Sequence, residues 1–122
     1  MTWLHERQVR GFLTFNVLVF SNELERAAAL LLAADRAGVD AVIVQDVGLC
    51  RLARSLVPDL ALHGSTQMSI TSAAGVAQAA ALGCERVVLA RELALTDLER
   101  LQQQLVQRHV AMPLEVFVHG AL

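Results

Sequence analysis

Gly38-Val39-Asp40-Ala41-Val42-Ile43-Val44-Gln45-Asp46 is the segment from which the architecture of this chain can be read. Turn residues lead into an apolar run at 41–45, and the run hands over to hydrogen-bonding side chains. A run that is apolar throughout suits a strand covered on both faces, as in parallel sheets. Four more runs share this form, at residues 12–17, 60–63, 86–90 and 114–119. Successive starts lie about 20 to 30 residues apart, the size of one strand–helix unit with its loops.

Helical segments fill the intervals. Ser21-Asn22-Glu23-Leu24-Glu25 offers a capping side chain and first-turn acids, and the helix it opens runs through 27–37 to Gly38. A shorter helix is expected over 49–56, stopped by Pro58. An Ala-rich helix is expected over 69–82, ended by Gly83. Thr96-Asp97-Leu98-Glu99 reads as a capping box, followed by a stripe of Leu98, Leu101, Leu105 and Val106. Trp3 to Gln8 reads as the last turns of a helix. One strand followed by four helix–strand repeats calls for a parallel sheet with right-handed crossovers.

With 122 residues there is room for one domain, and a composition 55% apolar excludes disorder and low-complexity classes. The longest apolar stretch, 27–34, falls far short of the ~18 residues of a membrane span. With no basic-then-apolar leader at the start, a cytoplasmic protein is expected. The net charge of −2 comes with no Lys at all. RNA binding is therefore expected only with help from other domains. Cys50 and Cys84 match no metal spacing and read as small buried hydrophobes.

Polar residues collect after each strand: Asn16; Gln45-Asp46; His63-Gly64-Ser65-Thr66-Gln67; Arg91-Glu92; His119-Gly120. The opposite ends carry ordinary turn residues. Ligands of parallel α/β folds bind at the carboxyl ends of strands, so this asymmetry marks a site. His63, Arg91 and His119 are the candidate catalytic groups. Asn16, Gln45, Asp46, Ser65, Thr66, Gln67 and Glu92 are candidates for substrate binding. Each has a plainer reading. Gln45 and Asp46 would cap the following helix, Ser69 would be a cap, and Arg91-Glu92 a structural ion pair. Strand alternation puts Thr14 with Asn16 on one face. It also points Glu115, Phe117 and His119 inward while Val116 and Val118 meet helices. A buried Glu115 would need Arg86 or Arg91. There is no Gly-rich phosphate loop, no Gly-x-Ser-x-Gly elbow and no His-Glu-x-x-His.

Asp40-Ala41-Val42-Ile43-Val44-Gln45-Asp46-Val47-Gly48, His63-Gly64-Ser65-Thr66-Gln67-Met68-Ser69, Arg86-Val87-Val88-Leu89-Ala90-Arg91-Glu92-Leu93 and Glu115-Val116-Phe117-Val118-His119-Gly120-Ala121-Leu122 resemble four consecutive blocks of the collagenase-like peptidase U-32 family. Leu13-Thr14-Phe15-Asn16 resembles the block before them. The resemblance covers essentially the whole chain in the family's order. It implies a TIM-like (β/α) barrel, of which this chain would carry strands three to seven of eight as a single incomplete domain, 1–122.

The same resemblance implies one of several activities for the parent: hydrolysis of peptides or collagen-like substrates, hydroxylation of transfer or ribosomal RNA bases (in some members with prephenate), or oxygen-independent hydroxylation in ubiquinone synthesis. RNA hydroxylation is the preferred expectation, with Arg91 suited to an anionic co-substrate. The resemblance also implies an iron-sulfur cluster in cluster-bearing relatives, whose first ligand follows the His-Gly-Ala-Leu block. Neither Cys50 nor Cys84 matches a ligand position, so no cofactor is expected on these residues. Gly64 stands where the family more often has Ala. Five strands of eight leave open edges, so the chain alone is expected to self-associate and to be inactive, as a truncated remnant would be.

Overall fold

The computed structural model describes residues 1–120, and Ala121 and Leu122, the end of the last family block, lie outside the described residues. Short helix α1 (Thr2–His5) precedes β1 (Phe12–Phe15), and four crossovers follow. These are α2 (Leu24–Ala37) to β2 (Ala41–Val44), α3 (Val47–Leu56) to β3 (Leu62–Gly64), α4 (Ala73–Ala81) to β4 (Cys84–Val88), and α5 (Leu95–Gln107) to β5 (Leu114–Glu115). All neighbours are parallel, and the strands lie side by side in chain order, β1-β2-β3-β4-β5. An order with no reversal, wound by crossovers of one hand, keeps the crossover helices α2 to α5 on the same face of the sheet. The other face stays uncovered by helices, as the inside of a barrel is.

Side-chain burial follows that geometry. Val42, Val44, Leu62, Val87 and Leu89 point to the helix layer and are essentially inaccessible to water. They pack with Leu31 of α2, Leu49 and Cys50 of α3, and Val76 of α4. Their same-strand neighbours Ile43, Arg86 and Val88 are only partly covered, and Thr14 is exposed. Removing a buried Leu from such a layer typically costs ~2–5 kcal/mol.

Several boundaries differ from the sequence expectation, each for a local reason. β1 ends at Phe15 and not at residue 17. β3 starts at Leu62 because Leu60 is held in a turn, its N–H bonded to Val57 O at 3.1 Å. That turn is clamped by Arg54, which donates to Pro58 O at 2.5 Å and to Leu60 O. β4 begins two residues early, at Cys84. β5 is two residues long and not six, because beyond Glu115 the chain leaves the side of β4. Val116 and Val118 are consequently not packed under a helix: they line an open hollow with Leu95 and Leu98 of α5, and Val118 is 95% exposed.

Helix starts shift too. α4 opens at Ser72, whose Oγ accepts the Gly75 N–H at 3.2 Å. Ser69 instead closes a 3-10 turn at Thr66–Met68 in the left-handed conformation (φ 54°). α5 starts after Ala94, and Asp97 rather than Glu99 reaches back, accepting the Ala94 N–H at 3.1 Å. In its expected stripe, Leu101 and Leu105 are buried, while Val106 faces water.

Candidate functional site

The carboxyl ends of the strands surround a cleft of about 490 Å³ on the face the helices do not cover. Thr14 and Asn16 enter it from β1 and the turn beyond, Ile43 from β2, Ser65 and Thr66 from the end of β3, and Val88 from β4. Residues 115–119 form its far wall. Asn16, Ser65, Thr66 and His119 are thus brought together from three places that are distant in sequence. Thr14, Glu115 and Phe117 were not among the candidates; their shared strand faces with Asn16 and His119 were the available signal.

The remaining candidates lie around this cleft. Gln45, Asp46 and Gln67 line an adjoining hollow of about 420 Å³ with Leu18 and Met68. Arg91 lines a hollow of about 290 Å³ on the other side, shared with Phe117. Glu92 is exposed beside Arg91. His63 sits within β3, in register with Ile43 and Arg86, and its ring meets Phe12 edge-on at 5.1 Å. It therefore leans toward the amino end of the sheet, so His63 and His119 are not equivalent strand-end residues. His63 is 9% exposed, and His119 is exposed.

Hydrogen bonds show which polar groups already serve the scaffold. The Asp46 carboxylate caps α3 by accepting the Leu49 N–H at 2.8 Å, and it also accepts the Val19 N–H at 3.2 Å. It thereby ties the segment after β1 to the start of α3. Ser65 Oγ accepts the Gln67 N–H and donates to Gln67 Oε1, both at 3.3 Å. Thr66 Oγ1 donates to Leu89 O at 3.1 Å, joining the β3 loop to the end of β4. At Gly64, which has no left-handed backbone, an added Cβ would stand 3.1 Å from the Met68 sulfur, so only a flexible side chain would have to yield to the Ala more usual in the family.

Electrostatics divide the site into two layers. Arg86 reaches Glu115 at 3.4 Å across the β4–β5 pair, as expected, but Glu115 is about half exposed and not buried. An ion pair this open is worth at most about 1 kcal/mol. Burial, and then the nearby Arg86 charge, push the His63 imidazole below its usual pKa. At neutral pH it is an uncharged donor–acceptor in the layer beneath the cleft. The cleft itself offers hydroxyls, an amide and an imidazole: a surface suited to a polar ligand with donors and acceptors at its edges.

Metal ligation has no such cluster here. Among the described residues no three His, Cys, Asp or Glu side chains stand together to hold an ion. Cys50 and Cys84 are both buried in the core, on the helix side of the sheet. These two thiols do not fit a cluster site at the cleft.

The whole sequence, residues 1–122, matches the profile of peptidase family U32. The chain belongs to that family. Among its U32-type relatives, it is 36% identical over 98% of its length to an uncharacterized protease of Methanocaldococcus jannaschii, 29% of which is covered. It is 35% identical over 97% of its length to a 23S rRNA 5-hydroxycytidine synthase of Escherichia coli, covering 17% of that protein. It is 39% identical over 70% of its length to tRNA hydroxylation protein P of Escherichia coli, covering 18%. The chain spans less than a third of the length of each of these curated relatives. No solved structure matches it.

Proposed function

We propose that this U32 chain forms one wall of the substrate cleft of an enzyme that hydroxylates bases of ribosomal or transfer RNA. The observation that carries this reading is the 35% identity to the rRNA 5-hydroxycytidine synthase over 97% of the chain. The site chemistry agrees with it. Asn16, Ser65, Thr66 and His119 offer a ring of donors and acceptors. The Ser65 hydroxyl is engaged by Gln67 rather than by a histidine base, so no nucleophile–base pair is formed there.

In this reading the base enters the cleft mouth and His119 meets it from the rim. The uncharged His63 holds or passes a proton from the layer below. Arg91, in the adjoining hollow with Glu92 at its edge, binds a small anionic co-substrate through its planar guanidinium. Gln45, Asp46 and Gln67 shape the opposite hollow. Neither Cys50 nor Cys84 is placed to hold an iron-sulfur cluster, so a cluster in the full-length protein would use other cysteines. Eight-strand closure of the barrel and a cytoplasmic location, where these RNAs are modified, belong to the same proposal.

A second reading, peptide hydrolysis, is favoured by the 36% identity to the archaeal protease over 98% of the chain. The two separate in one experiment. Cells lacking the full-length gene are complemented with it, and their rRNA and tRNA nucleosides are compared by mass spectrometry. Restoration of nucleosides carrying one extra oxygen is the expected result. Unchanged nucleosides, with peptide cleavage by the purified protein, would establish the second reading; a restored ubiquinone pool instead would place the parent in quinone hydroxylation. Single Ala replacements of His63, Arg91 and His119 should each lower the modification at least about tenfold, the lower range for a lost general acid–base or binding group. Full modification in all three variants would sink the site assignment.

A further inference from the structure

Phe117 is a large apolar side chain, yet 58% of it faces solvent at the rim of the cleft. It stands on a ridge, lining both the 490 Å³ cleft and the 290 Å³ hollow beside it. Arg91 lines the hollow, and its guanidinium carbon lies 5.9 Å from the Phe117 ring centroid. That distance is near the outer limit of a cation–π contact, so the charge backs the ring from the hollow side. The ring also borders the open cleft, and more than half of the residue is accessible. Across the cleft stand the Thr14 hydroxyl and the half-buried Asn16 amide, each able to donate and accept.

A flat apolar face opposed by an amide and a hydroxyl is the complement of one ligand type: a planar ring that is apolar on its faces and hydrogen-bonding around its edge. Proteins that read unpaired RNA bases do so by stacking them on aromatic or Arg planes and bonding their edges. Charge points the same way. With a net charge of −2 and ten scattered Arg, these residues offer no basic track for the RNA backbone, so what this cleft adds is a hold on the base itself.

We propose that Phe117, backed by Arg91, is the stacking platform for a single splayed-out nucleobase, whose edge is read by Asn16 and Thr14. The assignment rests on the RNA reading above and names the part of the substrate that the cleft grips. Phe117 acts by holding the base in place and takes no part in bond making.

The test uses the purified full-length protein and a short single-stranded RNA bearing 2-aminopurine, whose fluorescence falls on stacking. Wild-type protein should quench the probe, as should Phe117→Tyr. Phe117→Leu, which keeps apolar bulk but removes the π face, should lose the quenching and bind at least about fivefold more weakly, the lower range of base–aromatic stacking. Melting curves of the variants confirm that both are folded. Equal quenching by Phe117→Leu, or none by the wild type, would overturn the platform. Nucleoside analysis of the same variants keeps the two ideas apart. Quenching without any hydroxylated nucleoside would end the hydroxylation reading and leave the platform standing. Hydroxylation without quenching would do the reverse.

Discussion

His63 shows how one side chain can report on the state of the sheet. Burial and the Arg86 charge depress its pKa below 6.5 in the folded chain. The unfolded chain therefore takes up a proton first as the pH falls. The stabilising contribution of the neutral ring is present above about pH 6.5 and is lost as acidification proceeds through that value toward the folded pKa. A His63→Gln variant should accordingly show a smaller drop in melting temperature between about pH 7.5 and pH 5.5 than the wild type. Identical slopes would mean that His63 does not titrate as described. That His63 belongs to the third strand's carboxyl-end segment was legible from the apolar run that leads into it. That it leans on Phe12, in the layer beneath the cleft, was not: the direction of a ring depends on a neighbouring strand's register. Asp40 presents a similar case. Beside a turn glycine it reads as an ordinary loop acid, yet its carboxylate accepts the Gly11 N–H at 2.7 Å and meets His5 Nε2 at 2.9 Å. The His5 hydrogen bond, then the Gly11 amide, hold its pKa below the usual carboxylate value. Residues 29 and 35 positions away supply both partners, and no local pattern encodes them.

The elements were most legible where one residue type permits only one structure. Gly38 ends α2 at φ 71°, a left-handed conformation costly for residues with a Cβ, and the helix stops where that glycine predicts. Asp46 before α3 is a cap, as one of its two readings held. Asp46→Ala should cost about 1–2 kcal/mol in urea unfolding, because the Val19 N–H loses its acceptor along with the helix start. A loss below a few tenths of a kcal/mol would show that water replaces both bonds without penalty. Gly83 tests the opposite end of a helix. It has φ 89°, and a Cβ there would lie 2.6 Å from Arg54 Cδ, so Gly83→Ala combines strain with a clash against the residue clamping the turn before β3. Legibility failed where several residues could serve. Between Thr66 and Ser72 four hydroxyls compete to cap α4, and Ser72 does so because the 3-10 turn occupies the chain up to Ser69. Likewise α5 is capped at Ala94 with Asp97 reaching back, two residues ahead of the Thr96–Glu99 box, and Leu98 then packs against the core with Leu101 and Leu105.

The molecule as a whole is a sheet with two edges. β1 has a neighbour only in β2, and Phe12, Leu13 and Phe20 along that side are all substantially exposed. No Lys or Pro guards the strand, and a net charge of −2 gives little repulsion between copies. The 122-residue chain studied alone should therefore sediment with a mean mass that rises above 13.2 kDa as its concentration increases. A constant monomer mass with a sharp melt would contradict the open-edge picture. Parallel architecture was legible from the rhythm of apolar runs because crossover length leaves no other pairing. The placement of the cleft was legible from the same strands, since polar residues follow only their carboxyl ends. The exposure of Glu115 and Phe117 was not, because it depends on where β5 parts from β4.

Strand order carries one more consequence. Each strand pairs with the one that left the ribosome just before it, so the sheet can lengthen at a single growing margin while synthesis continues. Among these five strands none must wait for a distant partner or be inserted between two already paired. As β1 to β5 emerge, each presents one fresh edge, and the helix that follows each of the first four seals its face before the next strand arrives.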